Sequence, residues 1–434
     1  MVKGVKQERL VPEYVRAVRL CYEGITNNNE ISSMAIQDAF QKALELDEEE
    51  RIEDAVTCLD DVFNQIPNEV GYLKFAGMLY QRLGEDDKSF GLLNRALDLT
   101  PKDAELHLGL GFHYTDNGQQ DKAAASFEKH VRLDPQSQIG FMFLGRAYDY
   151  LHDFEQAEAN LRRSVELDLD AYEPHVQLAR VLGRRGTYEE ALREYEKADQ
   201  CESGDIITEI GLWRINALKD GQVPATTDLH PEPATVVCVK QGDKYGPEYA
   251  NRLASMVRRW SSESPRIVCF TENPTGLSDN VEHQPLLTDN LKGWWNKVAL
   301  FKVALPGVTG RILYFDLDVV ITGDIDPLLH HGGDFVIMDN DYVPGFNTSV
   351  FLLESGTRPE IWENYTPEIG AEIAGDQDWV ALNAPDAELW PDGWCVPYRL
   401  RAAHELPDTA KVVVFSGHPN PEDYPSPWIK EHWR

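Results

Sequence analysis

The sequence predicts two structural parts in one chain of 434 residues: a stack of helical hairpins, then an α/β domain with a mostly parallel sheet. Three observations lead to this prediction. The first part repeats itself every 34 residues, a stretch rich in proline and polar residues follows it, and short apolar runs then alternate with helical segments. A chain of this length is expected to fold as two or three domains with separate cores.

The bulk composition excludes some classes of function. A net charge of −32 argues against binding nucleic acid or anionic membranes through overall charge. The first residues lack the apolar core of a secretion signal, and no apolar stretch has the length of a membrane span. We therefore expect a cytoplasmic protein. Residues 1–35 are expected to be partly helical, with one helix over Tyr14–Ile25.

Five repeat units are predicted between residues 36 and 205. Small residues recur where two antiparallel helices approach each other, as at Gly77, Gly111 and Gly145. This pattern resembles the tetratricopeptide repeat, whose unit is a helical hairpin of the same length. A last helix over Ile206–Lys219 is expected to cap the stack, so that the repeat domain covers residues 36–220.

The first helices of such repeats line a concave face, which suits an extended peptide. The residues predicted to line this acceptor groove are Met78, Leu108, Phe112, Met142, Arg146 and Arg180. The resemblance thus implies a protein or peptide partner. The alternative is that the same face packs against the second domain or against a sister chain. The sequence does not indicate the oligomeric state.

Residues 221–233 are predicted to be a linker, and residues 234–434 the α/β domain. Helices are predicted over Pro247–Trp260 and Trp295–Leu305. The predicted strands, short and rich in β-branched and aromatic residues, are Thr235–Val239, Arg266–Phe270, Ile312–Phe315, Phe335–Met338, Thr348–Leu353 and Lys411–Phe415. Ligands of such sheets bind beyond the carboxyl ends of the strands.

The chemical signal is strongest in Arg311–Pro327, where a buried strand ends in Asp316-Leu317-Asp318. Both carboxylates point to the same side, because side chains alternate along a strand. Burying them is costly without a compensating cation or donor. Two oxygen ligands aimed at one point suit Mg²⁺ or Mn²⁺. The competing interpretation is that both aspartates merely solvate the end of the strand.

Four motifs together resemble glycosyltransferases of the GT-A fold, and most closely family 8, the glycogenin-like and lipopolysaccharide-galactosyltransferase-like enzymes. They are Asp316–Leu328, Gly345–Val350, Gly375–Asp378 and Phe415–Pro421. The resemblance implies a Rossmann-like domain that transfers a hexose from a nucleotide sugar, with UDP as the expected nucleotide. It also implies that the sugar keeps its anomeric configuration.

The resemblance further assigns roles to residues. Asp316, Asp318 and His418 would bind the Mn²⁺ or Mg²⁺ ion, with Ser416 or water as alternatives to His418, because Val414 stands at the family's histidine position. The residues assigned to the donor are Val239, Lys240, Tyr245, Lys297 and Asn347. The residues assigned to the reacting carbon are Asp376, Gln377 and Asp378. Lys297 is alternatively a helix-surface lysine, and Asp376 alternatively a helix cap.

Two other functions stay open at this point. The chain is alternatively a repeat scaffold whose second domain binds a nucleotide sugar without turning it over, since Asn420 replaces a lysine of the family pattern. The stretch Phe315–Val320 also fits the nucleophile strand of haloacid-dehalogenase-like phosphatases. That strand should open its domain, whereas about 80 residues of the α/β domain precede it here.

Overall fold

The structure is a computed structural model, and it describes residues 34–288, 291–415, 420–424 and 426–434. These residues divide into two compact units, residues 34–169 and residues 170–434. The predicted helix over Tyr14–Ile25 lies outside the described residues. No helix in the described ranges combines the length and the apolar character that a membrane crossing requires.

The first unit is built of antiparallel helix pairs, as the 34-residue period predicts. The helices are α1 Met34–Glu48, α2 Ile52–Asp60, α3 Val70–Leu83, α4 Asp86–Leu99, α5 Ala104–Asp116, α6 Gln120–Leu133, α7 Gln138–Tyr150 and α8 Phe154–Leu167. Short turns join the two helices of a pair, and Gly84 takes a left-handed backbone (φ 83°) at the turn between α3 and α4. Glycine adopts this conformation without a steric penalty. The predicted helical hairpins are confirmed.

The small residues of the repeat lie where the two helices of a pair touch. A Cβ atom on Gly145 of α7 would lie 2.6 Å from Leu161 Cγ and 3.1 Å from the backbone oxygen of Ala157, both on α8. The register of small and large residues in the sequence therefore has a direct cause. One helix offers a gap, and a leucine of its partner fills it.

This contact gives a prediction for stability. Gly145→Ala should destabilise the chain by about 1–3 kcal/mol, because the added methyl group overpacks a contact bounded by backbone. The matched control is Gly91→Ala on α4, where an added Cβ would meet nothing within 4 Å. That change should stabilise the chain by about 0.5–1 kcal/mol, since alanine is the better helix former. Urea unfolding measures both, and equal midpoints would contradict the close-packing argument.

The second unit opens with three more helices, α9 Tyr172–Arg184, α10 Tyr188–Cys201 and α11 Ile206–Lys219. The sheet domain follows. Its strands are β1 Thr235–Lys240, β2 Ile267–Thr271, β3 Glu282–Gln284, β4 Arg311–Phe315, β5 Val320–Ile321, β6 Phe335–Asp339, β7 Phe346–Glu354, β8 Glu388–Leu389, β9 Cys395–Pro397 and β10 Val412–Val414. Its helices are α12 Pro247–Arg259, α13 Asp326–Leu329, α14 Pro359–Glu363, α15 Pro367–Glu372, α16 Asp376–Asn383 and α17 Pro427–His432.

The main sheet is mostly parallel, as predicted, and one antiparallel strand makes it mixed. Its order is β3-β2-β1-β4-β7-β6-β8, and β7 runs antiparallel to both of its neighbours, β4 and β6. The other pairs in this sheet are parallel. A second sheet has the order β5-β10-β9. Strands β1 and β4 are adjacent and parallel, yet β1 is followed in the chain by β2 on its other side. The strand order thus reverses between β1 and β4, and a crevice opens at such a switch point.

One predicted helix has a different form. The segment predicted as a helix over Trp295–Leu305 forms tight 3-10 turns over Gly293–Phe301. Its residues Asn296 to Phe301 are all buried. No polar face is left to solvent, so packing against the sheet decides the backbone rather than an amphipathic period.

Helix α11 belongs to the core of the sheet domain. Ile210 is only 1% exposed and lies in the same apolar cluster as Tyr314 and Phe346. Arg214 donates to the carbonyl oxygens of Pro385 (2.7 Å) and Ala387 (2.6 Å), just beyond α16. The cap predicted for the repeats is therefore also a structural element of the sheet domain.

The segment predicted as a linker, residues 221–233, is irregular and is bonded to the sheet domain. The His230 amide donates to the His330 carbonyl over 2.6 Å. Leu229 forms an isolated β-bridge with His331. These contacts fix the entry of the chain into β1.

Candidate functional site

The two aspartates of the central motif lie at the carboxyl end of β4. All five residues of β4 are buried, and the Asp316 amide donates to the Ser349 carbonyl on β7 over 2.9 Å. The Tyr245 hydroxyl, from the loop after β1, donates to Asp318 Oδ2 over 2.6 Å. The loops after β1 and β4 therefore meet at the switch point of the sheet. Ligands of α/β domains bind at this position.

Lys297 lies at the centre of the site. Its Nζ donates to Asp316 Oδ2 (3.2 Å) and to Thr348 Oγ1 (3.1 Å), and lies 3.1 Å from Asp376 Oδ2. The lysine side chain is only 8% exposed, so the interpretation as a helix-surface lysine is wrong. Burial disfavours its charge, but the carboxylates of Asp316 and Asp376 outweigh burial and raise the pKa of Lys297. The ammonium group stays charged and holds the two carboxylates together.

Asp376 begins α16 and is almost fully buried, with 5% of its side chain exposed. The Thr348 hydroxyl donates to its Oδ2 over 2.6 Å. Burial raises the pKa of Asp376 above its usual value, while Lys297 and Thr348 oppose that rise. The N-cap position of α16 is occupied by Gly375, one residue before Asp376. The carboxylate is thus oriented by β7 and Lys297 rather than serving as a helix cap.

The neighbours of Asp376 on α16 are more open. Gln377 and Asp378 are half-buried. Burial first, and then the charges of Asp376 and Asp205, raise the pKa of Asp378 to about 6. The structure therefore brings Asp376 to Asp316 through Lys297, and leaves Asp378 close enough to Asp376 for their charges to interact.

The residues present fit a divalent cation at Asp316 and Asp318. Asp318 is 7% exposed. Burial, and then the charge of Asp316, raise its pKa to about 6, although Tyr245 donates a hydrogen bond to it. A buried carboxylate that is only partly compensated is stabilised by a cation, and hard divalent ions prefer such oxygen ligands. Across the described residues, no group of three or more histidines, cysteines or acidic residues has the geometry of a metal site. His418 and Ser416, predicted as third ligands, lie outside the described residues.

The residues predicted to contact the donor differ in how far they are buried. Lys240 is buried at the end of β1, and Val239 is half-buried beside it. Tyr245 is half-buried and packs on Tyr249, with ring centroids 4.7 Å apart. Asn347 is 6% exposed, and its Oδ1 accepts from the Ser349 amide over 2.9 Å. That bond uses one acceptor and leaves its NH₂ group for a ligand.

Sequence reasoning missed two residues of the site. The Tyr314 hydroxyl donates to Asp316 Oδ1 over 2.7 Å, and Thr348 bridges Lys297 and Asp376. Tyr314 precedes Asp316 by two residues in a strand, so the alternation of side chains would have placed both on one face. Thr348 had no comparable local signal, because its partners come from distant segments.

Arg180 does not line an open groove. It is 7% exposed, and its Nη1 donates to the Asp341 carbonyl over 2.9 Å within the second unit. Its neighbour Arg184 pairs with Asp339 over 2.9 Å. Arg180 binds the loop between β6 and β7, and Arg184 binds the last residue of β6, which the alternative of packing against the second domain anticipates.

The other predicted groove residues lie in the first unit and are mostly covered. Met78 and Met142 are 4% and 1% exposed. Phe112, half-buried, packs its ring edge against Phe143, with centroids 4.6 Å apart. Leu108 and Arg146 are also half-buried. A binding groove needs exposed side chains, whereas these side chains are largely used in packing within the repeats.

Comparison with known proteins identifies the helical part. A family model described as "Tetratricopeptide repeat" matches residues 76–138 and 144–205. These residues are tetratricopeptide repeats. The family match ends at residue 205, so the function of the sheet domain has to be inferred from its own residues. No curated protein matches the chain.

Several solved structures are similar to this chain at low scores. The crystal structure of MamA protein is 24% identical, covering 35% of this chain and 85% of that one, with a TM-score of 0.33. PilW, a type IV pilus biogenesis factor, is 22% identical, covering 44% and 88%, with a TM-score of 0.39. A thermophilic tetratricopeptide-repeat protein from Thermus thermophilus is 19% identical, covering 42% and 98%, with a TM-score of 0.35.

Proposed function

We propose that the protein joins a protein-binding tetratricopeptide-repeat region to a domain that transfers a hexose from a nucleotide sugar, with UDP as the nucleotide. One observation carries this proposal. Asp316, Asp318, Lys297 and Asp376 meet at the carboxyl edge of β4, beside the loop that follows β1. The switch point of a sheet, with acidic residues able to hold a cation, suits a diphosphate ligand.

The cation, Mn²⁺ or Mg²⁺, would be held by Asp316 and Asp318, and it would supply charge neutralisation for the departing diphosphate. The chain's own residues do the rest. Lys297 holds Asp316 and Asp376 in fixed positions. Tyr245 keeps its proton, because burial and Asp318 raise its pKa, and it orients Asp318 by donating a hydrogen bond to it. The NH₂ group of Asn347 supplies a donor for a sugar hydroxyl.

Asp376 has the position and charge for the reacting carbon. Its carboxylate is fixed by two donors and nearly excluded from water. A fixed carboxylate in a dry site stabilises positive charge that develops on a sugar ring, or attacks its anomeric carbon. Asp378, whose pKa is raised to about 6, is able to accept a proton near neutral pH. Retention of configuration stays part of the proposal.

The repeats favour a protein partner, since tetratricopeptide repeats bind proteins through extended surfaces. We propose that this partner is the sugar acceptor or carries it. A cytoplasmic location stays a prediction.

A second candidate is a repeat scaffold whose sheet domain binds a nucleotide sugar without turnover. The comparisons favour its repeat-scaffold part, because the family match covers the repeats alone. Two carboxylates also compensate the charge of Lys297, so this lysine attracts a phosphate less strongly than an unpaired lysine would. A phosphatase is less favoured, because three strands of the domain precede β4 in the chain.

The test is release of UDP from UDP-glucose and UDP-galactose by the full chain, with and without Mn²⁺. We expect manganese-dependent release that falls about 100-fold or more in Asp316→Asn and Asp318→Asn, since each loses a charge that holds the cation. The control Asp324→Asn changes an exposed aspartate of the same stretch and should behave like the parent.

The outcomes separate the candidates. Binding of UDP-sugar with Mn²⁺ but no release of UDP would favour the scaffold. Release of inorganic phosphate from a phosphomonoester would favour the phosphatase. Unchanged manganese binding and UDP release in both asparagine variants would contradict the proposed site.

A further inference from the structure

An exposed tryptophan lies beside the helix that carries Asp376. Trp294 is 36% exposed, although it is one of the largest apolar side chains in the domain. Its neighbour Trp295 is half-buried and packs on Tyr365, with ring centroids 5.0 Å apart. Packing therefore anchors the segment through Trp295 and leaves Trp294 uncovered. An exposed aromatic side chain next to a functional site is a common mark of ligand contact.

The indole of Trp294 faces Gly375, the residue just before Asp376. A Cβ atom on Gly375 would lie 4.0 Å from Trp294 Nε1 and would meet nothing else within 4 Å in the part of the chain that the structure describes. The backbone of Gly375 is extended, with φ −168°, so any residue fits it. Serine or aspartate would cap α16 better than glycine. Glycine is itself an accepted N-cap residue, so capping is compatible with Gly375, and the open space beside it among the described residues is available to a ligand.

We propose that Trp294 and Gly375 form the subsite for a pyranose ring of the acceptor, an inference that rests on the proposed transferase function. A pyranose has C–H faces and hydroxyl edges. The C–H groups match the electron-rich face of an indole. The hydroxyl edges match the acceptors that follow Gly375 on α16, namely Gln377 and Asp378. An aromatic ring beside a few polar side chains is the composition typical of a small-molecule site.

The order of contacts assigns this subsite to the acceptor rather than to the donor. Tyr245 contacts Asp318 on the nucleotide side of the site. Lys297 links Asp316 to Asp376, and Gly375 with Trp294 comes after Asp376. Trp294 and Gly375 therefore adjoin Asp376, the carboxylate proposed to act at the reacting carbon, and an acceptor has to approach that same carbon. The proposed substrate class is accordingly a glycan, presented by the protein partner.

The test is binding of methyl glycosides of glucose, galactose and mannose to the full chain, measured by saturation-transfer NMR with UDP and the diamagnetic ion Mg²⁺ present. We expect the parent to bind at least one glycoside, and Trp294→Ala to weaken that binding about tenfold. Trp294→Phe keeps an aromatic face and should retain most of it. Gly375→Ser improves the helix cap and should still weaken binding, because its side chain fills the open space.

The matched control is Trp213→Ala, which removes a tryptophan that is 43% exposed on α11. It should leave glycoside binding as in the parent. Equal binding by the parent and Trp294→Ala, or no glycoside binding by the parent, would overturn the subsite. Loss of glycoside binding when UDP-hexose replaces UDP in the sample would assign the site to the donor sugar and overturn the acceptor assignment. If the chain releases no UDP, the transferase function is contradicted but the subsite is not, since glycoside binding is measured without turnover.

Discussion

Lys297→Met is expected to destabilise the protein by about 3–5 kcal/mol near neutral pH, because it leaves buried carboxylates without their cation. The Nζ of Lys297 lies within 3.2 Å of Asp316 and 3.1 Å of Asp376. Methionine fills a similar volume, so the loss reports charge rather than a cavity. UDP release should also fall to background, since Asp376 loses the group that fixes it.

The pH dependence of this variant distinguishes charge from packing. A carboxyl group whose folded-state pKa lies above its unfolded value contributes stability below the unfolded pKa, and that stability is lost as pH rises through the folded pKa. Burial already raises the pKa of Asp376, with Lys297 opposing the rise. Without Lys297 the pKa of Asp376 rises further, so the deficit of the variant should be largest near neutral pH and shrink on acidification.

Urea unfolding at about pH 7 and about pH 5 measures this difference in free energy of unfolding. The control is Lys292→Met, five residues earlier and exposed. It should change stability by at most about 0.5 kcal/mol at either pH. An equal deficit of Lys297→Met at both pH values would indicate lost packing instead, and no deficit would show that the three charges do not form a unit.

Local patterns in the sequence were sufficient to predict the repeats and most strands. Gly145, Ala157 and Leu161 fall within one repeat and touch one another, so their spacing already encodes the contact. Strand β4 and its two aspartates are equally local, because the apolar run and the motif are contiguous. Such features depend on neighbours in the chain, and periodicity reports them.

The role of Lys297 could not be predicted from local sequence patterns. Its partners Asp316, Thr348 and Asp376 come from β4, β7 and α16, and their meeting depends on the order of strands in the sheet. The antiparallel direction of β7 was missed for the same reason, since an apolar run does not state which way its neighbours run. The motif Gly375–Asp378 is visible in the sequence, but the open space beside Gly375 is not, because it depends on the position of Trp294.

Helix α11 shows how one pattern permits two structures. Its apolar face suits a cap on the last hairpin, as predicted, and the structure also uses that face in the core of the sheet domain. Ile210 is 1% exposed there, and a Cβ on Gly345 would lie 3.4 Å from its Cγ2. Arg214 lies over the ring of Phe346, 5.2 Å from the centroid, one residue before Asn347. An amphipathic period identifies a buried face and does not name what covers it.

A fragment that begins at Gly221 is therefore expected not to fold stably, whereas a fragment that begins at Asp170 is expected to fold. The shorter fragment loses Ile210, whose buried side chain is worth about 2–5 kcal/mol. It also lacks Arg214, the hydrogen-bond donor to the carbonyls of Pro385 and Ala387. Each buried carbonyl left unpaired lowers the free energy of unfolding by about 1–3 kcal/mol. This loss is comparable to the whole stability of a typical domain, about 5–15 kcal/mol.

Near-ultraviolet circular dichroism and urea unfolding of the two fragments measure the difference. The Asp170 fragment keeps α11 and also the bonds of Arg180 to the β6–β7 loop and of Arg184 to the end of β6, and it should unfold in one cooperative transition. The Gly221 fragment should lack fixed aromatic signals. Equal midpoints for the two would show that α11 is a repeat cap alone. A deletion meant to test acceptor recruitment by the repeats should consequently end before Asp170, because a cut at residue 221 removes part of the sheet domain's own core beside Asn347 and α16.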